Sequence, residues 1–330
     1  MQVIYDYLSY PFGILLGFFY NFVDGFFGSA SYFVAIALFA LVFKVILLPT
    51  AVKQQKSMAK QARLQPKIRR IQERYKGDKN AQQKIQEEQQ ALYQREGFNP
   101  MNQGCAPLLI QFPIIIGLYG AVYSPLTYML KIDTAIIEQF KSAAEGLGMT
   151  VSSRMIEIDM INNIEKIRDA LVQSGATIEN LDAIVERISL FGSTQLQLFG
   201  VSLSANPSFK VFNFLLLIPI LSFLTSMATS LISQMRSKRT NPAASNNAMM
   251  GCTTFGMPLF SAVMTTMFPA AVGIYWIINN IYSFVQTLIV GHFYSPDKVI
   301  AENMVEETII RRSKENNQKI VAERKKNETK

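Results

Sequence analysis

Residues 97–130, GFNPMNQGCAPLLIQFPIIIGLYGAVYSPLTYML, form a run of 34 residues without a charged side chain. About 20 apolar residues are enough to cross a bilayer, so a run of this length does not suit a water-soluble domain. Further uncharged runs occupy residues 25–43, 211–235 and 240–296. The last of these holds 57 residues, enough for two crossings, and the segment PAAVG at 269–273 interrupts it. The sequence therefore predicts an all-α polytopic membrane protein.

The overall composition agrees with this fold class. Of the 330 residues, 49% are hydrophobic and only 17% are charged, with a net charge of +8. These values are typical of a membrane protein with polar loops. We predict five transmembrane helices, at residues 31–52, 105–130, 211–234, 250–268 and 274–291.

The basic residues predict how these helices are oriented. Lys and Arg number 12 in residues 53–103, 3 in residues 236–239 and 9 after residue 291, which together make 24 of the 32 in the chain. Cytosolic loops carry an excess of Lys and Arg, and short loops are the most informative. The connection 235–249 and the basic tail 292–330 are therefore predicted to be cytosolic, and the N-terminus is predicted to lie outside.

Residues 1–30 allow two interpretations. The stretch PFGILLGFFYNFVDGFF at 11–27 is apolar but contains Asn21 and Asp24. We predict an amphipathic helix that lies in the outer headgroup region. The alternative is a sixth span, which would place the N-terminus in the cytosol.

The polar connections are predicted to be helical. Residues 53–104 form a cytosolic hairpin, with helices over 51–75 and 80–95 and too few apolar residues to bury a core. This hairpin is either a solvated basic loop near anionic lipid or a docking surface for a ribosome or an incoming polypeptide. Residues 131–210 form an extracytoplasmic helical loop, and the polar tail is predicted to be a frayed helix or disordered.

The sequence offers no catalytic or metal-binding constellation. One histidine, His292, and two distant cysteines, Cys105 and Cys252, are too few for an ordinary metal site. We find no phosphate-binding loop, dinucleotide fingerprint or activated nucleophile. We expect a protein that is not an enzyme and needs no cofactor.

Lys44 is the exception within the spans, because the predicted membrane segments contain no Asp or Glu to neutralise it. A lone cation inside a span costs about 2.5–3.5 kcal/mol on insertion scales, so it should face a cavity or reach water. Lys53 follows nine residues later, about 13 Å away at helical rise. Snorkelling of the Lys44 ammonium to the cytosolic surface therefore remains an alternative.

Three ordered motifs resemble the YidC family of membrane protein insertases. They are KVILLPTAVKQQ at 44–55, FNPMNQGCAPLLIQFPI at 98–114 and PAAVGIYWIINNIYSFVQ at 269–286. The resemblance covers the five spans and the hairpin, in the Gram-positive-like five-span form. The outer loop is longer than is usual for the family, and the resemblance says nothing about it.

The resemblance implies an insertase and chaperone that moves short hydrophobic proteins from the cytosol into the plasma membrane of a bacterium. Family members hold a hydrophilic groove with a basic residue from the first span, usually Arg, at the position of Lys44. Tyr275 and Trp276 match positions that contact a passing segment. The implied partners are nascent membrane proteins and the lipid bilayer. The ribosome, through the hairpin and tail, and the Sec translocon are further candidates, and no nucleic-acid sequence is recognised.

Two other functions compete with this interpretation. A channel or secondary transporter generally shows internal repeats and paired ionisable groups at the midplane, and neither is present in this sequence. A non-translocating assembly factor would leave Lys44 as an unexplained cost. Insertion of a short client into liposomes without ATP would separate the insertase from both.

The predicted orientation can be tested with the two cysteines. Cys105 and Cys252 fall at predicted cytosolic ends of spans, so we expect both to react with thiol reagents only from the cytosolic side. The measurement is labelling of intact cells with a membrane-impermeant reagent. Labelling of either thiol from outside would contradict the orientation.

Overall fold

The computed structural model describes residues 2–98, 106–150, 155–198, 201–208, 213–240 and 248–328. The chain divides into two compact units. The first unit comprises residues 1–47, 107–232 and 248–285, and the second comprises residues 48–106, 233–247 and 286–330. Cys105 lies outside the described residues, so its predicted position at the end of a span is not tested.

The first unit is helical apart from one short ladder of two residues per strand. Its helices and strands are α1 (Gln2–Phe27), α2 (Ser31–Ile46), α5 (Ala106–Tyr123), α6 (Pro125–Tyr128), α7 (Thr134–Gly146), α8 (Ile156–Asn162), α9 (Ile164–Gln173), α10 (Leu181–Thr194), β1 (Gln197–Leu198), β2 (Val201–Ser202), α11 (Leu217–Thr240), α12 (Ala248–Met267) and α13 (Ala270–Phe293). The last residues of α11 and α13 belong to the second unit. The strands pair antiparallel, with Gln197 opposite Ser202.

The second unit is built on α3 (Leu48–Arg74), α4 (Ala81–Arg95) and α14 (Pro296–Glu328). Leu64 and Ile68 of α3 pack with Phe98 in a small buried cluster. Polar contacts join α3 to α4, and Arg74 pairs with Glu88 at 3.1 Å. The hairpin is therefore held by a few apolar side chains and by exposed ion pairs, which contribute little individually.

The tail differs from the predicted frayed helix or disorder. α14 is a continuous helix of 33 residues, and it packs along α3. Just before α14 begins, the carbonyl of Tyr294 accepts from Gln55 at 3.4 Å, and the Lys56 ammonium lies 5.2 Å from the centre of the Tyr294 ring. Packing against a second helix stabilises a segment that has too few apolar residues to be recognised from its own sequence.

Three helical segments of the described chain are long and apolar enough to cross a membrane. They are residues 7–46, 214–235 and 270–293, and a shorter apolar helix covers 111–123. The fold is therefore a helical, multi-pass membrane protein, whereas the count of five spans remains a prediction. α2 ends at Ile46 rather than continuing to residue 52. Pro49 explains the break, because it lacks an N–H and suits the first turn of the new helix α3.

α1 lies antiparallel beside α2 over most of its length. Near the start of α2, the ring of Tyr20 packs edge-on against Tyr32. Towards the other end, Phe12 lies 6.1 Å from the ring of Phe39 and 5.3 Å from that of Phe43. Contacts at both ends of α2 require the two helices to run side by side.

The end of α6 fixes the same helix from another direction. A side chain at Gly17 is excluded, because its first carbon would lie 2.1 Å from the carbonyl oxygen of Tyr128. One turn later, Asn21 donates to the carbonyl of Met129 at 3.2 Å. α1 is therefore an integral part of the bundle.

The loop at 131–210, predicted to lie outside the membrane, forms a helical cap, α7 to α10, whose core is continuous with that of the bundle. One cluster of buried residues contains Leu118 of α5 and Met129, which follows α6, together with Ile158, Ile167 and Ile188 of the cap. The near-helical spacing of isoleucines in this loop is thus explained by burial on one side of each short helix.

Glu157 holds the cap to the end of the bundle. Its carboxylate accepts from the backbone N–H of Thr127 at 3.1 Å and from the Thr127 hydroxyl at 2.7 Å. The side chain is buried, and this burial raises the pKa of the carboxyl group, while the two Thr127 hydrogen bonds oppose the shift.

This contact predicts a pH dependence for the cap. Because the folded pKa is raised, the Glu157 carboxyl contributes most stability when it is protonated, and the contribution falls as pH rises above about 4.5 through the folded pKa. Glu157→Gln should remove this dependence. Glu157→Ala should destabilise the cap by about 1–3 kcal/mol, because Thr127 loses its acceptor.

The measurement is hydrogen exchange of the cap between pH 5 and 8. Glu145→Gln provides the control, since Glu145 is exposed on α7. Equal pH dependence in Glu157→Gln and the parent would show that the Glu157 carboxyl is not the group that makes the cap's stability depend on pH.

Candidate functional site

Lys44 lies in the last turn of α2, and its ammonium is directed at α13. Its Nζ donates to the hydroxyl of Ser283 at 2.6 Å. That hydroxyl in turn donates to the carbonyl of Asn279, one turn earlier on α13, at 2.7 Å. Within the described residues no carboxylate pairs with Lys44, so its charge is hydrogen-bonded but not neutralised. Lys44 is half-buried.

α2 and α13 run in the same direction. Phe39 packs against Tyr275, with ring centres 6.1 Å apart, and five residues later Lys44 meets Ser283. Tyr282 adds a hydrogen bond at 3.3 Å to the carbonyl of Ala37. Three contacts thus fix the depth of Lys44 against α13.

Tyr275 and Trp276 occupy different environments although they are adjacent. Tyr275 is 1% exposed, and its hydroxyl accepts from the side chain of Gln111 on α5 at 2.7 Å. It therefore joins α5, α13 and α2 inside the bundle and offers no surface for a passing segment. Trp276 is only partly buried. It precedes Ser283 by seven residues, so the two side chains share one face of α13 about 10 Å apart along its axis.

The structure brings the three predicted residues to one helix. Lys44 reaches α13 through Ser283, Trp276 lies on the same face as Ser283, and Tyr275 contacts Gln111 of α5 and Phe39 of α2. Gln111 and Ser283 were not predicted from the sequence. The signal that could have found them is the presence of polar Gln, Asn and Ser residues within the second and fifth predicted spans.

A polar seam between α11, α12 and α13 was also not predicted. The hydroxyls of Ser222 and Ser261 lie 2.7 Å apart in a buried position. The amide of Asn280 donates to the carbonyl of Ser222 at 3.4 Å and to the hydroxyl of Thr225 at 3.3 Å. Hydroxyl residues recur on α11 at helical spacing from Ser222 to residue 233, which is a signal that periodicity could have found.

A strap, which we define as residues 195–198 and 201–205, binds the N-termini of α2 and α13. The side chain of Gln195 accepts from the N–H of Tyr32 at 3.1 Å and donates to the carbonyl of Gly28 at 2.7 Å.

The same strap satisfies the first turn of α13. The carbonyls of Leu203 and Ala205 accept from the N–H groups of Ala271 and Ala270, both at 2.9 Å. Helix N-termini carry N–H groups without intrahelical partners, and unsatisfied groups are costly away from water. The strap therefore fixes the N-terminal ends of both helices that position Lys44.

Comparison with known families gives one match over most of the chain. A family model described as "60Kd inner membrane protein" matches residues 22–297. The matched region contains Lys44, Gln111, Trp276 and Ser283, together with the outer cap.

Two individual relatives are similar over about 70% of their length, and a third is similar over about a third of its length. A protein named membrane protein insertase YidC 2 from Listeria innocua is 26% identical over 87% of this chain and 71% of its own. Membrane protein insertase YidC from Pediococcus pentosaceus is 28% identical over 82% of this chain and 70% of its own. Membrane protein insertase MisCA from Bacillus subtilis is 40% identical over 28% of this chain and 35% of its own.

Proposed function

This chain belongs to the 60Kd inner membrane protein family, to which YidC-type insertases belong, and from that membership we propose that it inserts short hydrophobic proteins into the membrane. Its clients are nascent membrane proteins that enter from the cytosol. The observation that carries the proposal is the intramembrane ammonium of Lys44, which is bound to a neutral hydroxyl and remains free to attract a negative charge.

The proposed mechanism is electrostatic capture followed by sliding into lipid. An insertase has to draw the polar outer tail of its client partway into the membrane before the hydrophobic segment can leave sideways. At an effective dielectric constant of about 20, two unit charges about 8 Å apart attract by roughly 2 kcal/mol, against about 0.5 kcal/mol in water. Lys44 supplies this attraction for a client Asp or Glu. The partly buried ring of Trp276 offers an apolar contact on the same face of α13.

The site favours acidic or neutral tails over basic ones. A basic tail would meet a like charge without a compensating carboxylate in the described part of the site. Tyr275 and Gln111 have a supporting role, because their mutual hydrogen bond lies inside the bundle.

The family and the apolar helices make the chain a multi-pass bacterial membrane protein. We propose that the helical hairpin and α14 face the cytosol, where their basic residues receive a ribosome or an incoming polypeptide. The Sec translocon is a further candidate partner. The basic loops support this orientation, with the C-terminus in the cytosol.

For residues 1–28 we propose the crossing arrangement. The antiparallel packing of α1 along α2 supports it, because a helix beside a transmembrane neighbour at both of its ends shares that neighbour's depth. This gives six spans, with the N-terminus in the cytosol. An interfacial helix would need α1 to leave its contacts with Phe39 and Phe43.

The insertion mechanism predicts a dependence on client charge. Protein purified into liposomes should insert a short single-span client with an acidic tail without ATP. Lys44→Ala should lower this insertion roughly 30-fold, which corresponds to about 2 kcal/mol of lost attraction. A client that differs only in having a neutral tail should be inserted as by the parent. Lys44→Arg should match the parent, and Lys44→Glu should be worse than Lys44→Ala.

The matched control is Lys166→Ala, which removes one exposed cation from the outer cap. Normal insertion of the acidic client by Lys44→Ala, at equal protein amount, would show that Lys44 does not capture tails. Failure of the parent to insert either client would leave the channel and the assembly factor as the better interpretations.

The crossing of α1 is tested with a protease site inserted before Tyr5. We expect protection in intact cells and cleavage only after the membrane is permeabilised. The same site inserted directly after Thr177, in the turn between α9 and α10 where Thr177 and Glu179 are exposed, should be cut in intact cells. Cleavage before Tyr5 from outside would support the interfacial helix.

A further inference from the structure

The Ser283 hydroxyl acts both as a hydrogen-bond donor and as a hydrogen-bond acceptor. An ammonium only donates, whereas a hydroxyl donates one hydrogen bond and accepts others. Ser283 gives its proton to the carbonyl of Asn279 at 2.7 Å, so its lone pairs are left to face the Lys44 Nζ at 2.6 Å. The back-bond within α13 thus orients the acceptor that the ammonium meets.

This contact opposes the snorkelling of Lys44. A lysine has a flexible four-carbon stem, and the end of α2 lies only two residues beyond Lys44. Nothing in the stem itself prevents the ammonium from reaching towards water. The hydrogen bond to Ser283 holds it sideways against α13, on the face that also carries Trp276.

The partner is also neutral. A carboxylate at position 283 would pair with Lys44 and cancel the charge that a client tail has to meet. A hydroxyl fixes the ammonium while the full positive charge is retained. The Ser283 hydroxyl therefore sets the position of the ammonium, and Lys44 supplies the charge.

We propose that Ser283 is a positioning residue for insertion, which holds the Lys44 ammonium against the face of α13 that also carries Trp276, so that client carboxylates meet it inside the bundle. This inference rests on the proposed function and adds to it a residue that selects clients by tail charge without touching them.

The test is a set of Ser283 variants in the liposome assay with the acidic and neutral clients. Ser283→Ala should lower insertion of the acidic client by roughly tenfold, since a hydrogen bond to a charged group is lost. It should leave the neutral client unaffected. Ser283→Thr should restore parental insertion, because the hydroxyl is kept. Ser283→Asp should block the acidic client as strongly as Lys44→Ala does, although Lys44 is still present.

A double variant isolates the pair. In the Lys44→Ala background, Ser283→Ala should cause no further loss. The matched control is Thr266→Ala, which removes a hydroxyl that back-bonds to the carbonyl of Val263 on α12 in the same way. This control should insert both clients normally.

A second measurement follows the ammonium itself. A water-soluble, amine-reactive reagent applied from the cytosolic side should modify Lys44 several times faster in Ser283→Ala than in the parent. The extent of modification is measured by peptide mapping. Ser283→Thr should react at the parental rate. Thr266→Ala should also react at the parental rate. An equal acceleration in Thr266→Ala would show a general loosening of the bundle and would overturn the positioning role of Ser283.

The outcomes separate the inference from the proposed function. If Lys44→Ala loses the acidic client while Ser283→Ala inserts it normally, capture is correct and the role of Ser283 is wrong. If Ser283→Ala loses both clients equally, its role is structural, which also overturns the inference. Normal insertion by Lys44→Ala would overturn capture and, with it, any need for positioning.

Discussion

A cation inside an apolar bundle needs an oxygen partner, and this requirement organises the centre of the molecule. Lys44 finds that partner on another helix, so α2 and α13 have to approach closely and at a fixed depth. The aromatic contact between Phe39 and Tyr275 and the hydrogen bond from Gln111 to Tyr275 keep that approach in register. Because the partner is a hydroxyl, the charge is held without being cancelled. The bundle thus tolerates a costly group where the proposed chemistry needs it.

The helical cap stabilises the same arrangement from the N-terminal ends of α2 and α13. Its helices bury isoleucines in a core that continues into the bundle, and Gln195 and Leu203 bind the first turns of α2 and α13. The loop is therefore more than a connection between two spans. It fixes two helix ends whose N–H groups have no other partner in the described contacts. The depth of Lys44 depends on both the cap and the contacts inside the bundle.

The helical, multi-pass character of the fold could be predicted from the sequence, because long uncharged runs are typical of bilayer-crossing segments. Lys44 was equally visible, as a charge where none is expected. Ser283 was not, since a serine in a span is common and its meaning depends on a helix 239 residues away in sequence. The same applies to Gln195, whose partner Tyr32 is 163 residues distant. The apolar composition of α1 left its depth open, because a glycine such as Gly17 reveals close packing only once its neighbour is known.

The contacts of the strap also constrain how the protein is made. Chains emerge from the ribosome N-terminus first, so α2 is complete long before Gln195 exists. The N–H of Tyr32 therefore has its partner Gln195 only after 163 more residues have been made. The carbonyl of Ala205 likewise has its partner only once the N–H of Ala270 has been made. The walls around Lys44 become locked only after α13 begins to emerge. An insertase assembled in this order has no finished site until nearly all of its own spans have been made.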